Sequence, residues 1–557
     1  MHIDNKDILS RECKHVVYVP ATKYREEDIY LVKEIVTTKD NKVIPRINML
    51  KNYKKPYFIT KECYRDHKQK KESESRDRVD IYYCKESELA TSIASRLGKQ
   101  YNGVTDIRKI RDNPYVYGID VDTRAIIKKT YMDKYPNAQS VNKVATLDIE
   151  TNIETEEIVI ITVAMGDKAC VGILGNILKG LVDPIKELEY LYKKYIPENT
   201  LATKANIEYI IEDREEILIS KVISRLHIWK PDFVAIWNMA YDIPYIVKRL
   251  YKFNIDPKDV FSDPDIPRRY RYFKYKEGMV SRVTASGVHK AKPIEEIWNV
   301  CTVASSFFII DAMAAYWYVR VGGKKVPGGY SLDNILKKEL GERLQKLKFK
   351  EDPKVDNLIG IDWHKFMLNN RPLHYIIYNI WDCYSMLELD LKTKDLSHTI
   401  SILSDISSYD KFHSNPSRII DTLYFYYLNN NRVLGCKPGK KQEVEHLGLD
   451  DWISMLPAHR IKDNGYKCLI EGDNVSTNVR GYTFDLDAVS SYPSNTQAAN
   501  VSRDTTSKEI LDIEGIPKQK FIINNINSMF GKVSSIDYCV NMFNFPNLYD
   551  LKIIEDK

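Results

Sequence analysis

Val144-Ala145-Thr146-Leu147-Asp148-Ile149-Glu150-Thr151 is a short apolar run with β-branched residues that carries two carboxylates two positions apart. On a strand, residues i and i+2 point to the same face, so Asp148 and Glu150 face one way. Two like charges at the end of a buried strand are costly unless something positive joins them, and a divalent cation is the usual solution. The alternative is a strand edge with two solvated acids. The stretches downstream decide between the two.

From Val144 onward the pattern is α/β. Ile158-Val159-Ile160-Ile161-Thr162-Val163 follows closely enough to be an antiparallel neighbour. Arg214 to Trp229 has helical spacing, with Ile217, Ile219, Val222, Ile223, Leu226 and Ile228 apolar, and Pro231 stops it. Asp232 to Trp237 reads as a buried strand ending in Asn238-Met239-Ala240-Tyr241-Asp242, and Ile243 to Leu250 as a helix. Asp242 therefore falls where a strand hands over to a helix, on the rim where open α/β sheets bind ligands. Val303 to Trp317, interrupted by Asp311, reads as buried core. His374 to Leu391 is a strong helix on which Tyr378 and Asp382, four apart, share a face.

Asp148, Glu150, Asp242 and Asp382 thus form a set of separated carboxylates able to hold two divalent ions, Mg²⁺ or Mn²⁺. Such a pair of ions suits phosphodiester hydrolysis. Tyr378, one helical turn from Asp382, is the candidate for aiming the attacking water.

The rest of the chain bounds this reading. At 557 residues it is too long for one core, so several domains are expected. Its 83 basic and 77 acidic residues nearly cancel to +6, which permits a nucleic-acid partner without demanding one. Nine scattered cysteines, with no close pair at metal-ligand spacing, argue for free thiols and against a zinc site. No apolar run is long enough for a membrane span and the polar N-terminus has no signal core, so a soluble cytoplasmic protein is expected.

His15 to Val19 and Asp28 to Val32 read as strands. Lys68 to Arg78 is a mixed-charge run expected to be a solvated helix or loop. The pair Asp120/Asp122 copies the spacing of Asp148/Glu150, yet its place before the α/β region points to a structural turn. Arg268-Arg269-Tyr270-Arg271-Tyr272-Phe273-Lys274-Tyr275-Lys276 alternates cations and rings. That pattern suits a strand or hairpin contacting a phosphate backbone through Arg268, Arg269, Arg271 and Lys274. An exposed hairpin with cross-strand aromatic pairs is its alternative. The glycine-rich stretch Val321 to Gly329 lacks phosphate-loop spacing and reads as a turn. Ser414 to Leu428 is helical, a domain boundary is placed within 395–440, and a last helix is expected from Lys518 to Phe530, stopped by Gly531.

Asp148-Ile149-Glu150, Asn238-Met239-Ala240-Tyr241-Asp242 and Tyr378-Asn379-Ile380-Trp381-Asp382 resemble, in order, the three motifs of the proofreading 3′–5′ exonuclease of DNA polymerases. Asp487-Ala488-Val489-Ser490-Ser491-Tyr492-Pro493-Ser494 is similar to the first palm motif of family B polymerases, and Asn527-Ser528-Met529-Phe530-Gly531 to their fingers-helix motif. The long N-terminal region looks most like the replicative polymerases of T-even-type phages, which implies the cytoplasm of an infected bacterium. The resemblance implies a multidomain α/β and α+β chain. Its parts would be an N-terminal mixed domain (1–140), an RNase H-like exonuclease domain (141–395), a connection and start of palm (396–480), and partial palm and fingers (481–557).

It further implies that Asp148, Glu150, Asp242 and Asp382 bind the exonuclease metals, that Tyr378 positions water and that Asn238 holds the frayed 3′ end. Asp487, rather than Asp485, would be a palm metal ligand. Tyr492 would exclude a ribose 2′-hydroxyl, and Asn527 and Phe530 would face the nascent base pair. Deoxynucleotides, primer-template DNA and a single-stranded 3′ end are the implied ligands, with a sliding clamp as a candidate partner.

The sequence departs from the family in three ways. No Asp-Thr-Asp motif follows Gly531, the interval from Asp487 to Asn527 is short, and the expected fingers lysine falls on Ile523, with Lys520 one turn away. The expectation is therefore the N-terminal part of a split or truncated polymerase that needs a second chain for the remaining palm and the thumb. A free-standing exonuclease with a polymerase remnant, or a non-catalytic DNA-binding assembly protein, are the alternatives.

Overall fold

The computed structural model describes residues 7–437, apart from 68–69, 99–100, 102, 284–288, 322–325, 350–352 and 357. Beyond 437 it describes the backbone of three strands, Thr506–Leu511, Phe521–Ser528 and Gly531–Ser534. The chain is mixed α/β and divides into two compact units. One comprises Met1–Pro56, Tyr83–Ser92 and Val121–Tyr426, and the other Tyr57–Tyr82, Ile93–Asp120 and Tyr427–Lys557. The N-terminal strands and the α/β segment fall in the same unit.

In the first unit, β1 (Ile8–Val19), β2 (Ile29–Thr38) and β3 (Val43–Lys51) form an antiparallel sheet with β2 in the middle. The strand expected at His15–Val19 lies within β1, and the one expected at Asp28–Val32 falls in β2 except for Asp28, which precedes it. In the pair Asp120/Asp122, Asp122 has a structural role. Asp122 caps α1 (Thr123–Lys134), its side chain accepting from the Arg124 N–H at 2.9 Å, and pairs with the Arg124 and Lys411 side chains.

The organising element is an eight-stranded mixed sheet. Its strands are β4 (Val144–Thr151), β5 (Ile158–Met165), β6 (Lys168–Leu174), β7 (Asn206–Glu212), β8 (Phe233–Ile236), β9 (Phe273–Lys276), β10 (Val300–Val303) and β11 (Phe308–Asp311). They run in the order β7-β6-β5-β4-β8-β11-β10-β9. β4, β8 and β11 are parallel neighbours at the centre, and β5 lies antiparallel to β4, as its spacing implied. The central strands are near-continuous apolar runs because both faces are covered. α2 (Glu215–Trp229) packs on β5, β6 and β7, and the long α4 (Pro372–Thr393) lies across β4 and β5. α3 (Met239–Lys252) starts directly after β8. It is tied to α2 by a buried ion pair in which Arg249 Nε donates to Glu215 Oε1 at 2.7 Å.

In the second unit the mixed-charge run departs from the expected solvated helix or loop. Ser73–Ser75 is a strand paired with Arg432–Leu434, and Ser73 and Glu74 are buried. The Glu74 carboxylate can be buried because it meets the Lys71 ammonium at 2.7 Å and accepts from the Ser75 N–H at 2.8 Å. The helix expected over Lys518–Phe530 is corrected as well: Phe521–Ser528 is a strand paired antiparallel with Thr506–Leu511. Gly531, expected as a helix stop, begins the next strand, with Ser528 paired to Gly531. Ile522, Ile523 and Ile526 supply the β-branched character that a strand favours, and three asparagines weaken a helix. Among the described residues no helix is long and apolar enough to cross a membrane.

Candidate metal centre

β4 pairs with β8 only as far as Thr146, opposite Ala235. Its last residues, Asp148 and Glu150 among them, therefore run on past that pairing, on the rim where α3 begins. On the α4 side every second residue of β4 meets every fourth residue of the helix. Thr146 Oγ1 donates to the Cys383 carbonyl at 3.1 Å, Asn379 Nδ2 donates to Asp148 Oδ2 at 2.7 Å, and the Tyr375 hydroxyl donates to Glu150 Oε2 at 2.5 Å. Two strand residues span about 6.7 Å and four helical residues about 6 Å, so the two ladders stay in step over this length.

Asp382, one turn beyond Tyr378 on α4, completes the cluster. Asp148, Glu150 and Asp382 each offer an oxygen, and those three atoms lie within 4.8 Å of one another. Asp242, buried in the first turn of α3, is outside that closest set but near enough for its charge to be felt by Asp148. The structure thus brings Asp148, Glu150, Asp382 and Tyr378 together, with Asp242 beside them.

A cation reaches the cluster from an irregular segment that sequence periodicity does not mark. The Lys346 ammonium pairs with Asp382 Oδ2 and donates to the Tyr378 hydroxyl at 2.9 Å, sitting over the Tyr378 ring. Trp381 Nε1 donates to the Gln345 carbonyl at 2.9 Å, and the Lys346 N–H donates to Asp333 Oδ1 at 3.1 Å, so the segment is held from both sides. Tyr375 and Asn379 were also missed. Their signal was present, since they lie on the same face of α4 as Tyr378 and Asp382, at i+3 and i+4 spacing. His364, on the helix Gly360–Asn370 that precedes α4, contacts Tyr375 and carried no such signal.

The electrostatics fit a site short of positive charge. Burial, then Asp382, Glu150 and Asp242, push the Asp148 carboxyl well above the usual carboxylate range. Burial and Glu150 do the same to Asp242. Asp382 is raised to about 6 by burial, a rise that Lys346 limits. Burial opposes the Lys346 charge, yet Asp382, Tyr378 and Asp148 outweigh it and keep the ammonium protonated well above the usual range. Asp382 Oδ1 is buried without any hydrogen-bond partner, as is Asn238 Oδ1 at the start of α3. An orphaned carboxylate oxygen beside two more carboxylates is a donor set of hard oxygens, and it fits a divalent cation such as Mg²⁺ or Mn²⁺.

The residues expected to contact a phosphate backbone lie elsewhere in the same sheet. Arg268, Arg269, Arg271 and Lys274 lie on or just before β9, the last strand of the sheet, four strands and about 19 Å from β4. Arg271 and the more exposed Arg268 both pair with Asp259, at 3.1 and 3.5 Å, whereas Arg269 and Lys274 are exposed. Asn527 is on a strand rather than on the expected helix. Asp485, Asp487, Tyr492, Lys520 and Phe530 lie outside the described residues. No family model matches the chain, and no curated protein is significantly similar to it.

Proposed function

We propose that this chain is a divalent-metal-dependent 3′–5′ DNA exonuclease, the proofreading part of a family B DNA polymerase. One observation carries the reading: Asp148, Glu150 and Asp382 converge to within 4.8 Å on the rim of an α/β sheet, with a buried oxygen of Asp382 left unpartnered. The order of the motifs that supply these residues, together with Asp242 and Tyr378, supports a nuclease over a purely structural acidic cluster. An RNase H-like reading of the domain rests on the same motifs and on the central parallel strands flanked by antiparallel β5.

In this reading Asp148, Glu150 and Asp382 would hold the cation, with Asp242 adding its charge and contributing to a second ion. Bound metal supplies the positive charge that ionises water near neutral pH and offsets the charge of the scissile phosphate. The chain's own residues do the positioning. Tyr378, oriented by Lys346, would hold the attacking water, and Asn238 would accept the terminal sugar hydroxyl through its unpartnered Oδ1.

The test is digestion of 5′-labelled single-stranded DNA by the full chain with Mg²⁺ or Mn²⁺. Stepwise shortening from the 3′ end is expected, with EDTA and the double substitution Asp148→Ala/Glu150→Ala reducing it to background. No shortening with either metal would overturn the reading in favour of a non-catalytic DNA-binding protein.

The polymerase half rests on the resemblance alone, through Asp487, Tyr492 and the stretch Asn527 to Gly531. It predicts primer extension once a second polypeptide carrying the remaining palm and the thumb is added, and none by this chain by itself. Nuclease activity without extension in either case would favour a free-standing exonuclease.

A further inference from the structure

The two strand carboxylates are held differently. Asp148 is met by one amide, that of Asn379, whereas Glu150 is met by a tyrosine with a histidine behind it. The Tyr375 hydroxyl is 2.5 Å from Glu150 Oε2, and His364 Nδ1 is 2.8 Å from the Tyr375 oxygen and 3.5 Å from Glu150 Oε2.

Donor accounting orders this chain. A metal ligand binds as the carboxylate, which can only accept, so with Glu150 in that role the phenolic proton of Tyr375 belongs to it. The Tyr375 oxygen is left as an acceptor, and His364 must supply the proton from Nδ1. The tautomer of His364 is thereby set by its neighbour.

The packing agrees with an orienting role. Tyr375 is almost wholly buried, an expensive place for a phenol unless its hydroxyl has a designated partner. Burial and the neighbouring Glu150 keep that phenol protonated far beyond neutral pH. The His364 ring is held edge-on by Trp363 at 5.0 Å and by Tyr375 at 5.7 Å. His364 and Tyr375 come from different helices, Gly360–Asn370 and α4, so the chain of donors also ties the first of these to the cluster.

We propose that Tyr375 and His364 are positioning residues of the metal centre, fixing Glu150 in the orientation that turns it toward Asp148 and Asp382 and so raising the affinity for a divalent cation. The proposal rests on reading the acidic cluster as a metal site. Partners of this kind, one step removed from a metal ligand, typically change metal affinity by about 10- to 100-fold when removed.

The experiment is an equilibrium titration of the full chain with Mn²⁺ in the absence of DNA, with free Mn²⁺ read by electron paramagnetic resonance. Tyr375→Phe and His364→Ala are expected to raise the dissociation constant about tenfold or more, while His364→Asn, whose amide N–H can replace Nδ1–H, stays within about threefold of the unaltered chain. A packing role alone would leave His364→Asn as weak as His364→Ala. That result, or Mn²⁺ binding by Tyr375→Phe and His364→Ala as tight as by the unaltered chain, would overturn the proposal. Absence of Mn²⁺ binding by the unaltered chain, or binding unchanged in Asp148→Ala/Glu150→Ala, would instead remove the metal site itself and the proposal with it.

Discussion

Asp148 is a carboxylate whose surroundings oppose its charge. Burial and three neighbouring acids raise its pKa, and its one direct hydrogen bond comes from a neutral amide. Asp148→Asn keeps an acceptor for Asn379 and removes the charge. In EDTA this substitution is expected to stabilise the chain by about 1–3 kcal/mol, the reverse of the usual effect of altering a buried polar group. DNA hydrolysis should be lost at the same time. Calorimetry of both forms in EDTA checks it, and a lower unfolding midpoint for Asp148→Asn would contradict the account of mutual repulsion. At this scale the sequence was informative wherever a residue sat on a regular element: Asp148, Glu150, Tyr378 and Asp382 were legible from periods of two and of four. Lys346 was not, because it reaches Asp382 from an irregular segment whose position depends on contacts with Trp381 and Asp333.

Between elements, the agreement of strand and helix repeats along β4 and α4 sets the geometry of the centre. α3, which carries Asp242, is held differently, by Arg249 against Glu215. Both side chains are nearly inaccessible, and Glu215 also accepts from the Ile158 N–H at 2.9 Å at the start of β5. Removing one partner of a buried pair strands the other's charge, at a cost of about 3–5 kcal/mol. Arg249→Ala should therefore unfold at markedly lower urea concentration, and at sub-denaturing urea should weaken metal binding through displacement of α3. A midpoint equal to that of the unaltered chain would show that the pair is solvated and contributes nothing. The elements are legible in the sequence where the apolar period is long, as in α2 and α4. Within Lys518–Phe530 the short apolar segment with isoleucines fits either period locally, and pairing of Phe521–Ser528 with Thr506–Leu511 decides for a strand.

For the whole molecule the acidic cluster couples stability to pH and, through the proposed cation, to metal. Asp382 has an ordinary value of 3.8 and is raised to about 6, and Asp148 and Asp242 are also raised well above the usual carboxylate range. A carboxyl raised on folding binds protons more tightly in the folded state. Its stabilising contribution is therefore complete below the unfolded value and is lost as pH rises through the folded one. Without metal, these groups should make the chain less stable at about pH 7.5 than at about pH 5. Saturating Mn²⁺ should raise the unfolding midpoint by several degrees at the higher pH and little at the lower, where protons compete for the same oxygens. Scanning calorimetry at both pH values, with Mn²⁺ and with EDTA, measures the difference, and an equal shift at both would argue that the ion binds elsewhere.

What the sequence by itself determined was the central α/β segment and the residues on its regular elements, because a period of two or of four is a local property of the chain. Asp148 and Glu150 had to share a face, and Tyr378 and Asp382 had to be neighbours, whatever the rest did. The tertiary structure decided whether those two faces would meet, which cation would answer them, and that Tyr375 and His364 would stand behind Glu150. It also decided that the N-terminal strands share a unit with the α/β sheet. Each of these outcomes joins residues far apart in the chain, and such contacts depend on how packed elements are placed in space, which local patterning does not encode.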